Sequence, residues 1–440
     1  MPATLPRLSV GETVRVAVGV LAPMLAQGVI IRRPGVVSLA DSLDTNRHAC
    51  RILGDLRERY GAGPVLLRLP VRELAVVLDP DDVATLLDGS PRPFTPANRE
   101  KVTALRHFEP MGVLISGEER RALRRPWNED VLDHRESLHR LHDHIVAVVA
   151  EELEGLLPSD APVLTWDRFT PVFWRIVRRV VLGDAARDDE AITDLMVALR
   201  AQANWAFLRP RSTRRLRELG RRLRTYVADA DPQSIAGVVA RTPGVPGTAE
   251  LGQIPQWLFA FDAAGIATYR ALALLTGHPA AMAEVRQEDL PTHRGLRPLA
   301  RATVLESLRL WPTTLTILRD GVEETHWSGG TAAPGTGFAI ISTFFHRDRS
   351  RLPWADEFEP AIWDDGRAEI SRALVPFSAG PAQCPGRTLV LDVTSELLAG
   401  IVSQFDVAAA PPVRIRSERA MPRTLAHNRL RFHLARRAAG

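Results

Sequence analysis

The chain has 440 residues, 45% of them hydrophobic and 25% charged, with a net charge of +4. That balance excludes a disordered or collagen-like chain, and two cysteines, Cys50 and Cys384, are too few for a disulfide scaffold. Lys101 is the only lysine, so the positive side is arginine, dispersed among acids; the composition predicts no nucleic-acid partner. Free thiols in a reducing, cytoplasmic compartment are the expectation.

In chain order, the first apolar stretch, Val16 to Ile31, is interrupted by Gly19, Pro23, Gln27 and Gly28. It falls short of the ~20 continuous apolar residues of a membrane span, so no membrane is expected. Asp44 or Thr45 caps a helix whose Ile52, Leu53 and Leu56 recur at helical spacing, and Gly61 and Gly63 end it. Val65–Leu69 and Glu73–Leu78 read as a hairpin, followed by a helix start at Asp79-Pro80. From Ser90 to Gly117 the pattern is irregular. Long helical patterns then run over Glu118–Leu157, Trp166–Leu182 and Asp189–Ala230. After a Pro/Gly-rich break, Trp257–Leu275 is apolar enough to span a membrane, but Asp262, Tyr269 and Arg270 argue for a buried core helix. A helix over Pro298–Trp311 stops at Pro312; Gly329–Arg372 reads as loop with one strand at Phe338–Ser342; a last long helix starts beside Cys384. The whole is mainly α with a small β region, in a single domain over 1–440.

Chemistry concentrates in Pro376-Phe377-Ser378-Ala379-Gly380-Pro381-Ala382-Gln383-Cys384-Pro385-Gly386-Arg387. A lone cysteine stands between a glycine-containing loop and an apolar helix, with Pro385 suited to the first helical position. A helix N-terminus favours a thiolate, hence a nucleophile or a metal ligand. Zinc or an iron–sulfur cluster would lack further cysteines nearby.

The spacing Phe377-x-x-Gly380-x-x-x-Cys384-x-Gly386 resembles the haem-binding motif of the cytochrome P450 monooxygenases. The resemblance implies the cytochrome P450 fold, with haem b (iron protoporphyrin IX) buried between the long central helix and the cysteine loop. Cys384 would be the axial ligand and the metal-binding residue, with Phe377, Gly380 and Gly386 shaping its loop. Glu306-Ser307-Leu308-Arg309 resembles the family's Glu-x-x-Arg helix, so Glu306 and Arg309 are expected as a structural pair. Ala264-Gly265-Ile266-Ala267-Thr268 resembles the oxygen-activating stretch. Thr268 would donate a hydrogen bond where oxygen is activated, and Gly265 would remove bulk near the iron. Ala267 stands where the family usually has an acid. Asp262 cannot replace it, since its offset puts it on another helix face from Thr268. Arg124, with Arg120 in the family's histidine position, and Arg319 match residues that neutralise haem propionates.

The implied activity is insertion of one atom of O2 into an apolar small molecule: a fatty acid, terpenoid, steroid or aromatic. By position, Phe94, Leu105, Phe108, Phe207, Phe261 and Leu315 line the substrate pocket. No flavin or nicotinamide fingerprint is present, so electrons would come from a separate ferredoxin and ferredoxin reductase, steered by Arg120, Arg121 and Arg125. The protein is expected to be a monomer. Ala267 keeps open a peroxygenase driven by H2O2; a haem-binding or sensing protein without oxygenase activity is the other alternative. His134, His139, His142 and His144 cluster, with only His139 and His142 on one helix face, and read as a polar surface rather than a metal site.

Overall fold

The computed structural model describes residues 4–156, 162–288, 295–411 and 415–437. Two compact units are distinguished. One comprises Met1–Val102, Leu308–Cys384 and Met421–Ala426; the other comprises Thr103–Ser307, Pro385–Ala420 and His427–Gly440.

The first unit is organised by a five-stranded sheet. The predicted hairpin is present: Val65–Leu67 runs antiparallel to Leu74–Val76, with Val65 opposite Val76. Leu74–Val76 pairs in parallel with Gly337–Ile341, which lies antiparallel to Thr316–Gly321, and Phe94–Thr95 takes the far edge. Gly337–Ile341 is buried at every residue, as an interior strand with both faces covered should be. The rings of Phe94, Trp327 and Phe338 pack 5.0–5.5 Å apart. Phe94 is therefore part of the core of this sheet rather than of a pocket wall.

The helix Thr45–Tyr60 runs between the predicted limits and ends at Gly61, whose φ of 73° suits glycine. Asp44 precedes it without capping through its side chain; the carboxylate accepts from Arg47 and Thr424 instead. Pro80–Asp88 starts behind Asp79, which accepts the Asp81 N–H at 2.9 Å. Two stretches are more structured than expected. Residues 90–117 contain the helix Arg99–Leu105, and 329–372 contains a second strand, Gly330–Ala332, paired with Thr325–Trp327. Lys101 Nζ donates to the carbonyls of Pro96 at 3.3 Å and Leu318 at 3.0 Å.

The second unit is helical, with a three-stranded sheet of Val163–Thr165, Arg431–Arg436 and Phe405–Ala409. Ile254–Gly277 lies in a stretch long and apolar enough to cross a membrane, yet 72% of its apolar window is buried inside the protein. It packs against Trp166–Leu182, found where predicted, and Arg387–Gln404. Tyr269 of this helix reaches the carbonyls of Leu164 and Leu430, each 3.1 Å from its hydroxyl.

Two predicted helices are each two helices. Glu118–Val131 and His142–Glu154 are separated by a turn in which Asp133 adopts φ 47° and its carboxylate accepts from Arg140 N and Nε at 2.6 and 2.9 Å. Leu157, the expected end of that run, lies outside the described residues. Glu190–Ala203 and Thr213–Ala228 are divided before Ser212, the N-cap of the latter; Pro210 in the connection has no N–H to continue a helix. Because of the first break His139 lies in a turn, so it shares no helix face with His142.

Candidate active site

In the first unit the cysteine loop closes on itself through its backbone. Ser378 N–H donates to Val375 O, Gln383 N–H to Gly380 O, and Cys384 N–H to Phe377 O, each at 2.9 Å. Ser378 and Gly380 both sit in the left-handed region, at φ 61° and 63°. A Cβ on Gly380 would stand 2.3 Å from the carbonyl oxygen of Leu87, so glycine is required by both backbone conformation and space. Phe377 and Cys384 are half-buried. The following helix, Arg387–Gln404, has Gly386 as its N-cap. Pro385 is thus not the first helical residue, and Cys384 precedes the cap by two positions, because Pro385-Gly386 forms a turn first.

Arg319, 3% exposed on the strand Thr316–Gly321, is tied to this loop. Its Nε donates to Ser90 Oγ at 2.9 Å and its Nη2 to Ser378 Oγ at 3.3 Å. Arg309 is fully buried, donates to the carbonyls of Ala355 at 3.0 Å and Glu357 at 2.6 Å, and lies over the Trp354 ring. His346 Nε2 accepts the Val375 N–H at 3.1 Å, pinning the start of the loop. Burial first, and the Arg309 charge second, lower the His346 pKa to about 3, so the imidazole is neutral.

In the second unit Thr268 is fully buried and its hydroxyl donates to Ala264 O at 2.9 Å, four residues back in the same helix. The carbonyl of Ala267 accepts from Ser307 Oγ at 2.8 Å, and Glu306, beside Ser307, is fully buried. A Cβ on Gly265 would meet the Phe173 ring at 2.8 Å, so close packing of helix on helix accounts for that glycine. Asp262 is engaged elsewhere, in a 2.6 Å pair with the buried Arg200.

Arg124 is 4% exposed, donating to Ser116 Oγ at 2.8 Å and Gly247 O at 3.2 Å. No carboxylate among the described residues pairs with it, and burial and nearby Arg120 lower its pKa. A buried cation without a counter-ion calls for an anion, and a haem propionate is of the right chemistry. Arg120 itself is exposed. Arg121, expected at a docking surface, is instead buried, and burial lowers its pKa to about 10; Arg125 pairs with Glu129 at 2.5 Å. Trp127 donates to Thr242 O at 2.8 Å and stacks on Trp257.

Leu105, Phe108 and Phe261 are buried in or near this unit's helices, and Phe108 lies 5.1 Å from the Phe259 ring. Phe207, expected in the pocket, is 63% exposed, because the turn that splits the helix carries it outward. Leu315 packs against the sheet core of the first unit. Sequence reasoning missed Glu109, a fully buried acid 2.6 Å from the Gln256 amide, whose carboxyl burial holds well above the usual range. It missed the serine partners too, although Ser378 and Ser307 lie inside the two motifs themselves; Ser90, Ser116 and His346 are distant in sequence and carried no signal.

Residues 261–434 match the family model described as Cytochrome P450. The chain is 32% identical over 149 residues to cyclooctat-9-en-7-ol 5-monooxygenase of Streptomyces melanosporofaciens, covering 31% of this chain and 32% of that protein. It is 32% identical over 132 residues to cytochrome P450 71A2 of Solanum melongena, covering 28% and 25%. The matched stretches span about a third or less of these relatives. Among solved structures, the haem domain of cytochrome P450DA superposes with a TM-score of 0.68 at 16% identity, over 89% of this chain and 92% of that one.

Proposed function

The chain belongs to the cytochrome P450 family, and from that premise we propose that it is a haem-thiolate monooxygenase inserting one atom of O2 into an apolar small molecule. The observation that carries the reading is the cysteine loop: a half-buried Cys384 whose N–H is fixed on Phe377 O, in a turn only glycine permits at position 380. Haem held by a cysteine thiolate would supply the oxygen-activating chemistry. Cys384 would hold the iron, and the buried guanidiniums of Arg124 and Arg319 would neutralise propionates. Thr268 would turn its hydroxyl from Ala264 O to the reacting oxygen, holding or passing a proton at Oγ1. Glu306 and Arg309 would be structural, Arg309 by satisfying the carbonyls of Ala355 and Glu357.

In this reading 1–440 works as one haem-binding domain, monomeric and cytoplasmic, with electrons from a separate ferredoxin and its reductase. A fatty acid, terpenoid, steroid or aromatic is the substrate class; the Streptomyces relative is named as a monooxygenase of cyclooctat-9-en-7-ol. Ala267 favours a second reading, a peroxygenase, because no acid stands beside Thr268 and Asp262 is held by Arg200. The ferrous–CO spectrum tests the class: a thiolate-type red-shifted band supports it and an imidazole-type band overturns it. Turnover with ferredoxin, reductase and NAD(P)H, compared with turnover by peroxide, separates the two readings; oxygen uptake without product would indicate neither.

A further inference from the structure

A cavity of about 350 Å³ in the first unit, away from the cysteine loop in sequence, is walled by arginine. One wall is a single face of the helix Thr45–Tyr60, where Arg47, Cys50, Arg51, Gly54 and Arg57 recur at helical spacing. The other is the segment Arg347-Asp348-Arg349-Ser350 with Arg423 and Phe344. Three carboxylates answer the six arginines. Asp44 pairs with Arg47 at 2.7 Å, Asp348 with Arg57 in a two-pronged contact, and Asp356 with Arg347, Arg349 and Arg423. Arg51 is exposed and has no partner among the described residues. Six arginines less three aspartates leave three positive charges around one hollow.

Two features keep the hollow open and fit for an anion. A Cβ on Gly54 would touch nothing within 4 Å, so a helix-interior glycine, which disfavours the helix relative to alanine, leaves the wall bare where no packing demands it. Burial pushes the Cys50 thiol up, so the sulfur adds no negative charge. Arg347 and Arg423 are 1% and 7% exposed, which sets charge at the bottom of a concavity rather than on a flat face. A concave site of this size suits a small molecule better than a protein surface.

We propose that this cavity binds a compact multivalent oxyanion, a small molecule carrying two adjacent phosphates. Arginine forks match phosphate oxygens in paired hydrogen bonds. A single phosphate carries about −1.5 to −2 at neutral pH, short of the three positive charges available; a diphosphate matches them and can reach both walls.

The test is calorimetric titration of the full-length haem-loaded protein with inorganic pyrophosphate and, separately, inorganic phosphate at constant ionic strength. Saturable binding of one pyrophosphate, at least tenfold tighter than phosphate, is expected. Arg51→Glu reverses the one unpaired charge without breaking an ion pair and should weaken pyrophosphate at least tenfold. Gly54→Leu fills the hollow and should abolish binding while preserving the ferrous–CO spectrum and raising the helix's stability. No saturable binding at millimolar pyrophosphate, equal affinity for both anions, or affinity unchanged in both variants overturns the proposal. So does an acidic protein whose binding Arg51→Glu weakens while pyrophosphate does not bind. None of these readouts depends on monooxygenase activity.

Discussion

The cysteine loop and the long apolar helix carry the two halves of the proposed chemistry, and they encode it differently. In the loop the backbone itself is the device. A main-chain hydrogen bond joins Phe377 to Cys384, while Ser378 and Gly380 sit in left-handed conformations, and at position 380 both conformation and space require glycine. In Ile254–Gly277 the backbone is satisfied by the helix, and side chains alone carry the chemistry. Ala267 brings no acid to this helix, and its carbonyl accepts from Ser307 Oγ.

The largest expected effect is Cys384→Ser, which should remove the red-shifted ferrous–CO band and all turnover; retention of that band would break the comparison at its root. Gly380→Ala should destabilise by about 3 kcal/mol or more, combining left-handed strain with overlap on the Leu87 carbonyl. Denaturant titration and haem stoichiometry measure it, and an unchanged midpoint would refute a backbone-limited loop. His346 makes the loop pH-sensitive. Its pKa falls from 6.5 unfolded to about 3 folded, so between those values only the unfolded chain takes up the proton. Stability is complete above pH 6.5 and falls as pH drops toward 3, by up to about 1.4 kcal/mol per pH unit. His346→Gln, which keeps an acceptor for Val375 N–H, should flatten that slope; a slope equal to wild type would remove His346 from the account.

Effects in the helix should be smaller. Gly265→Ala gains helix propensity but presses on Phe173, for a net loss of about 1–2 kcal/mol in thermal or denaturant unfolding. Thr268→Ala should cost less than about 1 kcal/mol, since among the described residues its hydroxyl bonds within its own helix. Its effect belongs in the ratio of product formed to NAD(P)H consumed, which should fall severalfold while the CO spectrum stays. A stability loss as large as that of Gly380→Ala would erase the distinction between the two regions.

The same contrast explains what could be read from the sequence. The loop was legible because spacing between Phe377, Gly380, Cys384 and Gly386 is a local property. The hairpin at 65–76 and the helices Thr45–Tyr60 and Trp166–Leu182 were legible because periodicity and end signals are local too. The turn at Asp133 was not, because it is held by an ion pair with Arg140 that periodicity does not register. Nor was the burial of Arg121, which depends on what its helix packs against, or the exposure of Phe207, which depends on where a helix ends. The arginine hollow was hidden for a further reason: its walls come from residues 47–57, 347–350 and 423, none unusual alone.

Lys101 has one more consequence. Its amine is the only one on any side chain, and it donates to the carbonyls of Pro96 and Leu318. Reagents that acylate amines will therefore meet one side-chain target besides the α-amine, slowed by those two bonds, while the arginines pass untouched. A fluorophore, a resin or an electrode linker attached by such chemistry would sit at Lys101 or at the α-amine, in a protein whose positive charge is otherwise almost wholly guanidinium.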